Sequence, residues 1–354
     1  MNMATTASTQ PIDAAERRQL EQELKPFNCG VHQPQDPPLF TREPQSSMEA
    51  LHWRATDLDR LLARVGASLK LEKGGNRRTL RLTNPGLSYG TTPTFWASIQ
   101  YILPGEIASA HRHTPTALRF IMRGNGAFTT VEGERYAMNV GDLVLNPSWA
   151  WHDHEHLGDQ PMVWLDVLDT SLVRSVHAIF FDPSDTEMRP VNAYPQRSRQ
   201  QFGSGLMMPL RSSRNNPVNP LLVYPSGMAM SALHEASRLP SDPHSDTHLE
   251  YRNPLTGGPA LTTLGTGLQR LRPGGQCLAQ RHTGSLLNYV ISGSGTTVVE
   301  GSQFHWQAGD FIAIPPWSWY EHTNASATEA ATLFQVNDIP ALQALGLYRH
   351  EFSR

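Results

Sequence analysis

The chain has 354 residues, enough for two ordinary domains with a sizeable core. Its formal net charge of -3 excludes the basic footprint of a nucleic-acid binder or of a protein held to anionic lipid. The 27 glycines and 27 prolines exceed the usual share of roughly 12% for the pair and favour a turn-rich β protein, while Cys29 and Cys277, far apart in sequence, build neither a zinc ribbon nor a disulfide framework and read as reduced thiols.

The first residues (MNMATTASTQ) are small and polar, with no apolar signal core, and no stretch approaches the length of a membrane span. A cytoplasmic protein without membrane or nucleic-acid partners is expected. Residues 12–24 predict a short helix with Asp13 as N-cap and Leu20 and Leu24 on one face. After a Pro-rich connector, residues 55–65 predict a second helix with an apolar stripe of Leu58, Leu61, Leu62 and Val65. RRTLRLTNPGL then alternates as a strand up to a turn at Asn84-Pro85-Gly86.

From residue 94 to 169 strand follows strand at close spacing, broken by Gly124, Gly126, Glu132-Gly133 and Gly141-Asp142. Within this run lie His111 and His113, then His152, His154 and His156. Residues two apart on a strand share a face, so each set presents its imidazoles in one direction. Residues 171–181 predict a helix leaving the strands, 182–219 a polar linker or interface arm, and 228–237 another helix.

The chain then repeats itself. PGEIASAHRHTPTALRFIMRGNGAFTT aligns without a gap on PGGQCLAQRHTGSLLNYVISGSGTTVV, and GDLVLNPSWAWHDH on GDFIAIPPWSWYEH. The layout is therefore mainly β, a bicupin of two tandem jelly-roll barrels with short flanking helices. The divisions are an N-terminal arm with short helices and a first strand (1–93), a metal-binding barrel (94–170), a linker with helices (171–254), a metal-free barrel (255–336) and a tail (337–354). The repeat is also an internal control. Gln280 stands opposite His111 and Tyr320 opposite His152, whereas His113 and His154 keep partners in His282 and His322. The turn glycines persist while two imidazoles do not, so His111, His113 and His152 form a ligand set in the first copy alone. Imidazole suits iron, copper, zinc and nickel. Three neutral ligands leave a divalent ion with its full charge and open positions, which suits an anionic substrate with a gaseous co-substrate beside it.

Arg119 shares strand parity with His111 and His113 and should enter the same cavity. It reads either as one half of an internal ion pair, with Asp166 as a candidate partner, or as a clamp for a substrate carboxylate. Its counterpart is Asn288, so the charge vanishes together with the ligands, which favours the clamp. His154 reads as a proton shuttle or a structural residue, His156 and His305 as surface or rim, and Trp96, Trp149 and Trp151 as core.

With these residues in place, the sequence resembles the gentisate 1,2-dioxygenase family of ring-cleaving enzymes. That group includes salicylate, substituted-salicylate and 1-hydroxy-2-naphthoate dioxygenases. The resemblance runs from about Trp53 to the end and is carried by RRTLRLTNPGL, TPTFWASIQYILPGE, AHRHTPTALRF, GDLVLNPSWAWHDH and WLDVLD. It implies Fe(II) on His111, His113 and His152 of the N-terminal cupin only, cleavage of gentisate or a related 2-hydroxybenzoate between the carboxyl- and hydroxyl-bearing carbons with O2, and a homotetramer. The alternatives are 5-nitro- or 5-aminosalicylate, salicylate and 1-hydroxy-2-naphthoate as substrate. A metal-dependent isomerase or decarboxylase is the further alternative. The implied pocket comprises Arg119, His154, Asp166, Trp96 and one arginine of the Arg77-Arg78 pair. Arg78 shares parity with Leu80 and Leu82 and is the choice over Arg77. Ser98 occupies a pocket-lining place where the family carries a very small residue.

Overall fold

A computed structural model describes residues 13–32, 36–69, 78–210, 212 and 218–353. Contacts divide the chain into residues 1–45 and 46–354. In the first unit, the helix Ala14–Leu24 begins at Asp13, whose carboxylate accepts from the N–H groups of Ala15 and Glu16, so the expected cap forms. Arg17 bonds both Glu21 and Asp36 there. Arg77 lies outside the described residues.

The second unit holds four antiparallel sheets, two per copy. In the first copy a six-stranded sheet runs Val223–Tyr224, Leu143–Asn146, Ala117–Arg123, Met162–Leu168, Trp96–Ile102 and Thr79–Leu82. Facing it is a five-stranded sheet of Phe181–Pro183, Ile107–His113, His152–His156, Ala127–Val131 and Glu134–Met138. The second copy repeats both orders, and its six-stranded sheet is completed by Leu51–Trp53 from ahead of the first copy. The expected duplication is present as two jelly rolls whose sheets face each other without closing into barrels. The helix expected over 171–181 is confined to Thr170–Ser175, because the chain must straighten to pair Phe181–Pro183 with the strand carrying His111 and His113. The amphipathic helix Ala55–Ser68 buries Leu58 and Leu62 but leaves Leu61 exposed.

Alternation within the six-stranded sheets explains how the copies join. Leu118, Phe120, Leu165 and Val167 point away from the first cupin's interior and pack with Leu287, Phe334 and Val336 of the second copy into one core. Phe120 and Phe334 stack at 4.0 Å. At the ends of this core the hydrogen bonds are reciprocal. Thr263 donates to Asp169 at 2.6 Å, and its counterpart Thr94 donates to Asp338 at 2.5 Å. Both faces of these sheets are thus buried, and the residues between the core-facing ones point into each cupin.

Candidate metal centre

The two histidine-bearing strands are neighbours, and a β-bulge decides their relation. Ala108 pairs with His154, yet His111 pairs with His152, so one extra residue is inserted between Ala108 and His111. Without it, His111 would face Trp151 and the imidazoles would diverge. With it, the rings of His111 and His152 lie 4.3 Å apart, His113 and His152 4.9 Å, and His111 and His113 5.4 Å. One ligand atom from each of the three lies within 4.8 Å of the others.

The ring orientations are fixed from behind. His111 Nδ1 sits 2.9 Å from Ser109 O, His113 Nδ1 2.7 Å from Pro115 O and His152 Nδ1 2.9 Å from Ala150 O. A carbonyl only accepts, so each Nδ1 carries the proton and each Nε2 keeps its lone pair. His152 Nε2 is buried with no hydrogen-bond partner. Burial first, then the fields of His111, Arg119, His113 and His154, hold the His152 imidazolium well below the usual histidine range. Carbonyl-anchored, neutral imidazoles with an orphaned buried nitrogen among them are what a metal ion requires.

A duplicated clamp holds the turn that delivers His152. Trp149 has φ 62°, unusual for a bulky residue, and its N–H donates to His113 O at 2.8 Å. The Arg112 guanidinium lies 4.4 Å from the Trp149 ring and 4.6 Å from Trp151, and bonds Asp182. The second copy repeats the arrangement with Trp317 at φ 60° and Arg281 on Trp317 and Trp319, bonded to Glu351. Trp149, 38% exposed, and half-buried Trp151 are therefore walls of this clamp and not core as expected, since a cation stacked on both faces needs access to water.

Across the six-stranded sheet one row of directly opposed residues faces the cupin interior: Arg81 opposite Ser98, Ser98 opposite Asp166, Asp166 opposite Arg119. Arg119, 3% exposed, donates from Nη1 to Asn146 at 2.5 Å. Its Nε stands 3.6 Å from Asp166 Oδ1, beyond hydrogen-bond reach, and both atoms are buried without a hydrogen-bond partner. The ion pair and the clamp are thus compatible, because the pair leaves donors and acceptors for a third group. Buried Ser98 sits between the two arginine-bearing strands. Trp96 lies two residues before it on the same face, with Nε1 buried and unpartnered. His154 is buried with its ring 6.1 Å from His152 and 5.6 Å from Trp164.

Arg78 is a correction. Its Nε donates to Leu69 O, and Nη1 and Nη2 to Glu106 at 2.6 and 2.7 Å, so the guanidinium is bound to a structural partner. Arg81, which sequence reasoning passed over, is the described arginine of that strand on the interior side, 5.2 Å over the Trp96 ring. His156 is corrected as well. It is 1% exposed, with Nε2 2.6 Å from Gln160 O and Nδ1 accepting from Gly158 N–H.

In the second copy the corresponding positions hold no metal-binding group of histidines. Tyr320 OH approaches His282 Nε2 at 3.4 Å and Gln280 bonds His350 and the His244 carbonyl. Asn288 and Gln335, the counterparts of Arg119 and Asp166, are joined by a 3.1 Å amide hydrogen bond.

Comparison with known proteins places this arrangement. The cupin domain family matches residues 98–168 and again 267–336. A 5-aminosalicylate 1,2-dioxygenase of Comamonas sp. is 37% identical over 88% of this chain and 84% of its own length, and a gentisate 1,2-dioxygenase of Streptomyces sp. is 35% identical over 88% of each. The chain belongs to the gentisate 1,2-dioxygenase family. As a member it is a ring-cleaving dioxygenase, and its fold matches a salicylate 1,2-dioxygenase of Pseudaminobacter salicylatoxidans with a TM-score of 0.90, at 30% identity over 97% of this chain and 99% of that one. The gentisate dioxygenase family is metal-dependent, and the three converging histidines suit that requirement. Among the described residues no helix is long and apolar enough to cross a membrane.

Proposed function

We propose that this dioxygenase opens gentisate or a closely related 2-hydroxybenzoate between its carboxyl- and hydroxyl-bearing carbons, using O2 and Fe(II) held by His111, His113 and His152. The observation that carries the reading is the convergence of three carbonyl-anchored imidazoles in the same cupin as a buried guanidinium with an unpartnered donor. Iron supplies the one-electron chemistry that lets triplet dioxygen react with a closed-shell ring. The residues around it bind and orient.

Buried Arg119 Nε and exposed Arg81 on the edge strand take the substrate carboxylate, and burial strengthens the charge-assisted hydrogen bond from Arg119. Asp166, 3.6 Å from Arg119, sets the angle of the guanidinium. Trp96 forms one wall, its unpartnered Nε1–H available as a donor to the substrate. His154 accepts the phenolic proton as the ring becomes a better electron donor. One ring carbon–carbon bond breaks and both atoms of O2 end in the ring-opened acid. In this reading catalysis belongs to residues 94–170 with Arg81 contributed by the strand before them, and the protein is a cytoplasmic homotetramer, for which light scattering is the check.

A second reading takes 5-aminosalicylate as the preferred substrate. Ser98 favours it, since its hydroxyl beside the ring offers an acceptor and a donor to a polar substituent, and the 5-aminosalicylate 1,2-dioxygenase relative supports it. Anaerobic loading with Fe(II) followed by oxygen uptake on gentisate, salicylate, 5-aminosalicylate and 5-nitrosalicylate decides between them. Absence of uptake on all four refutes both. His152→Ala should lose bound iron while its circular dichroism stays unchanged, and full iron retention would show that the ligand set is wrong.

A further inference from the structure

We infer that the second cupin is a binding site in its own right, for a neutral, hydroxyl-bearing aromatic molecule of one ring. A cavity of about 220 Å³ survives there at the place equivalent to the metal centre, lined by Gln280, His282 and Tyr320 at the three ligand positions. A cavity of about 150 Å³ accommodates benzene, so a ring with one substituent fits.

Its chemistry is that of the first site with the charges removed. Gln280 and Tyr320 replace two imidazoles, and the Arg119–Asp166 pair becomes the hydrogen-bonded Asn288–Gln335 pair. None of the residues lining it is Arg or Lys, so the cavity offers no cation to take up a carboxylate, and an acid is disfavoured. The polarity nonetheless asks for a partner. Gln269, which lines the cavity, is 2% exposed and donates from Nε2 to Ser245 O at 2.9 Å, while its Oε1 is buried without a hydrogen bond. A buried acceptor left unpaired is unfavourable, and a phenolic O–H is a donor of the right reach. The walls supply aromatic surface, with the His282 ring 5.8 Å from Tyr320 and 6.1 Å from Tyr348. A cavity kept only for packing would be closed by apolar side chains.

The site does not depend on which acid the first cupin cleaves. Phenol titrated calorimetrically into the full metal-loaded protein under argon should bind at one saturable site per chain. Gln269→Leu should weaken it at least tenfold, and so should Tyr348→Ala, a change at a half-buried position. Arg119→Met, in the other cupin, should leave it unchanged, and salicylate should not displace it. Lack of saturable binding overturns the inference, as does phenol affinity that falls with Arg119→Met and is indifferent to Tyr348→Ala.

Discussion

Exchanging the buried pair Arg119–Asp166 for the amide pair that nature placed in the sister cupin separates stability from function. Arg119 is 3% exposed and Asp166 8%, and the two form an ion pair in the interior. Replacing Arg119 with Asn alone strands a buried carboxylate, and breaking a buried pair costs about 3–5 kcal/mol. Adding Asp166→Gln restores the 3.1 Å amide bond seen between Gln335 and Asn288 and removes the stranded charge, so the double variant should recover to within about 1 kcal/mol of the parent. Urea unfolding of the parent, both single variants and the double variant gives the coupling directly. Catalysis should not recover. Loss of a charged hydrogen bond to the substrate carboxylate removes about 1.5–3 kcal/mol, equivalent to a fall of roughly 10- to 150-fold in kcat/KM. A double variant as unstable as Arg119→Asn would refute the equivalence of the two pairs, and an unchanged kcat/KM would refute the carboxylate clamp.

Arg112→Met and Arg281→Met remove the same cation from the same pair of indoles, at a stability loss of about 1–2 kcal/mol each by thermal unfolding. Only Arg112→Met should also weaken metal binding, by about tenfold or more in a chelator competition, because its turn delivers His152; equal metal affinity in both variants would show that the clamp does not position the ligand. Burial holds His282 down at about 3 and His322 at about 4. The unfolded chain therefore binds more protons, and stability should fall as pH drops from about 6.5 towards 4, by up to about 1.4 kcal/mol per pH unit for each histidine. Urea midpoints between pH 4 and 7 should flatten in His322→Gln, and an identical slope would count against the assignment. Burial also pushes the Cys277 thiol up to about 12 whereas Cys29 is exposed, so one thiol should react with iodoacetamide in the native protein and two only after denaturation.

What the sequence disclosed depended on whether local pattern or sheet environment decided the outcome. Asp13 caps its helix because capping is local, and the duplicated glycine turns marked both cupins. The converging histidine triad was legible because Gln280 and Tyr320 stand opposite two of its members. The bulge before His111 was not, since no residue signals the slip that brings His111 opposite His152. Parity misled at Arg78 for a physical reason. Leu80 and Leu82 belong to the core between the copies, not to the cupin interior, so a residue sharing their face turns away from the site. In a sheet buried on both faces, apolar alternation no longer says which side is inside.

The two cupins amount to one experiment with a built-in reference. Three devices that frame the histidine strands recur where no histidine triad exists: the Arg–Trp clamp, the indole at positive φ and the N–H from that indole residue to the preceding strand, His113 O in one copy and His282 O in the other. These devices therefore belong to the fold and do not by themselves make a histidine triad. Inside the cavity His111, His152, Arg119 and Asp166 become Gln280, Tyr320, Asn288 and Gln335. Each replacement is uncharged and each makes or approaches a hydrogen bond with a neighbour. Four neutral substitutions on a shared frame remove two imidazoles of the triad and the buried charge pair together, which ties the arginine to the imidazoles more firmly than its proximity alone would.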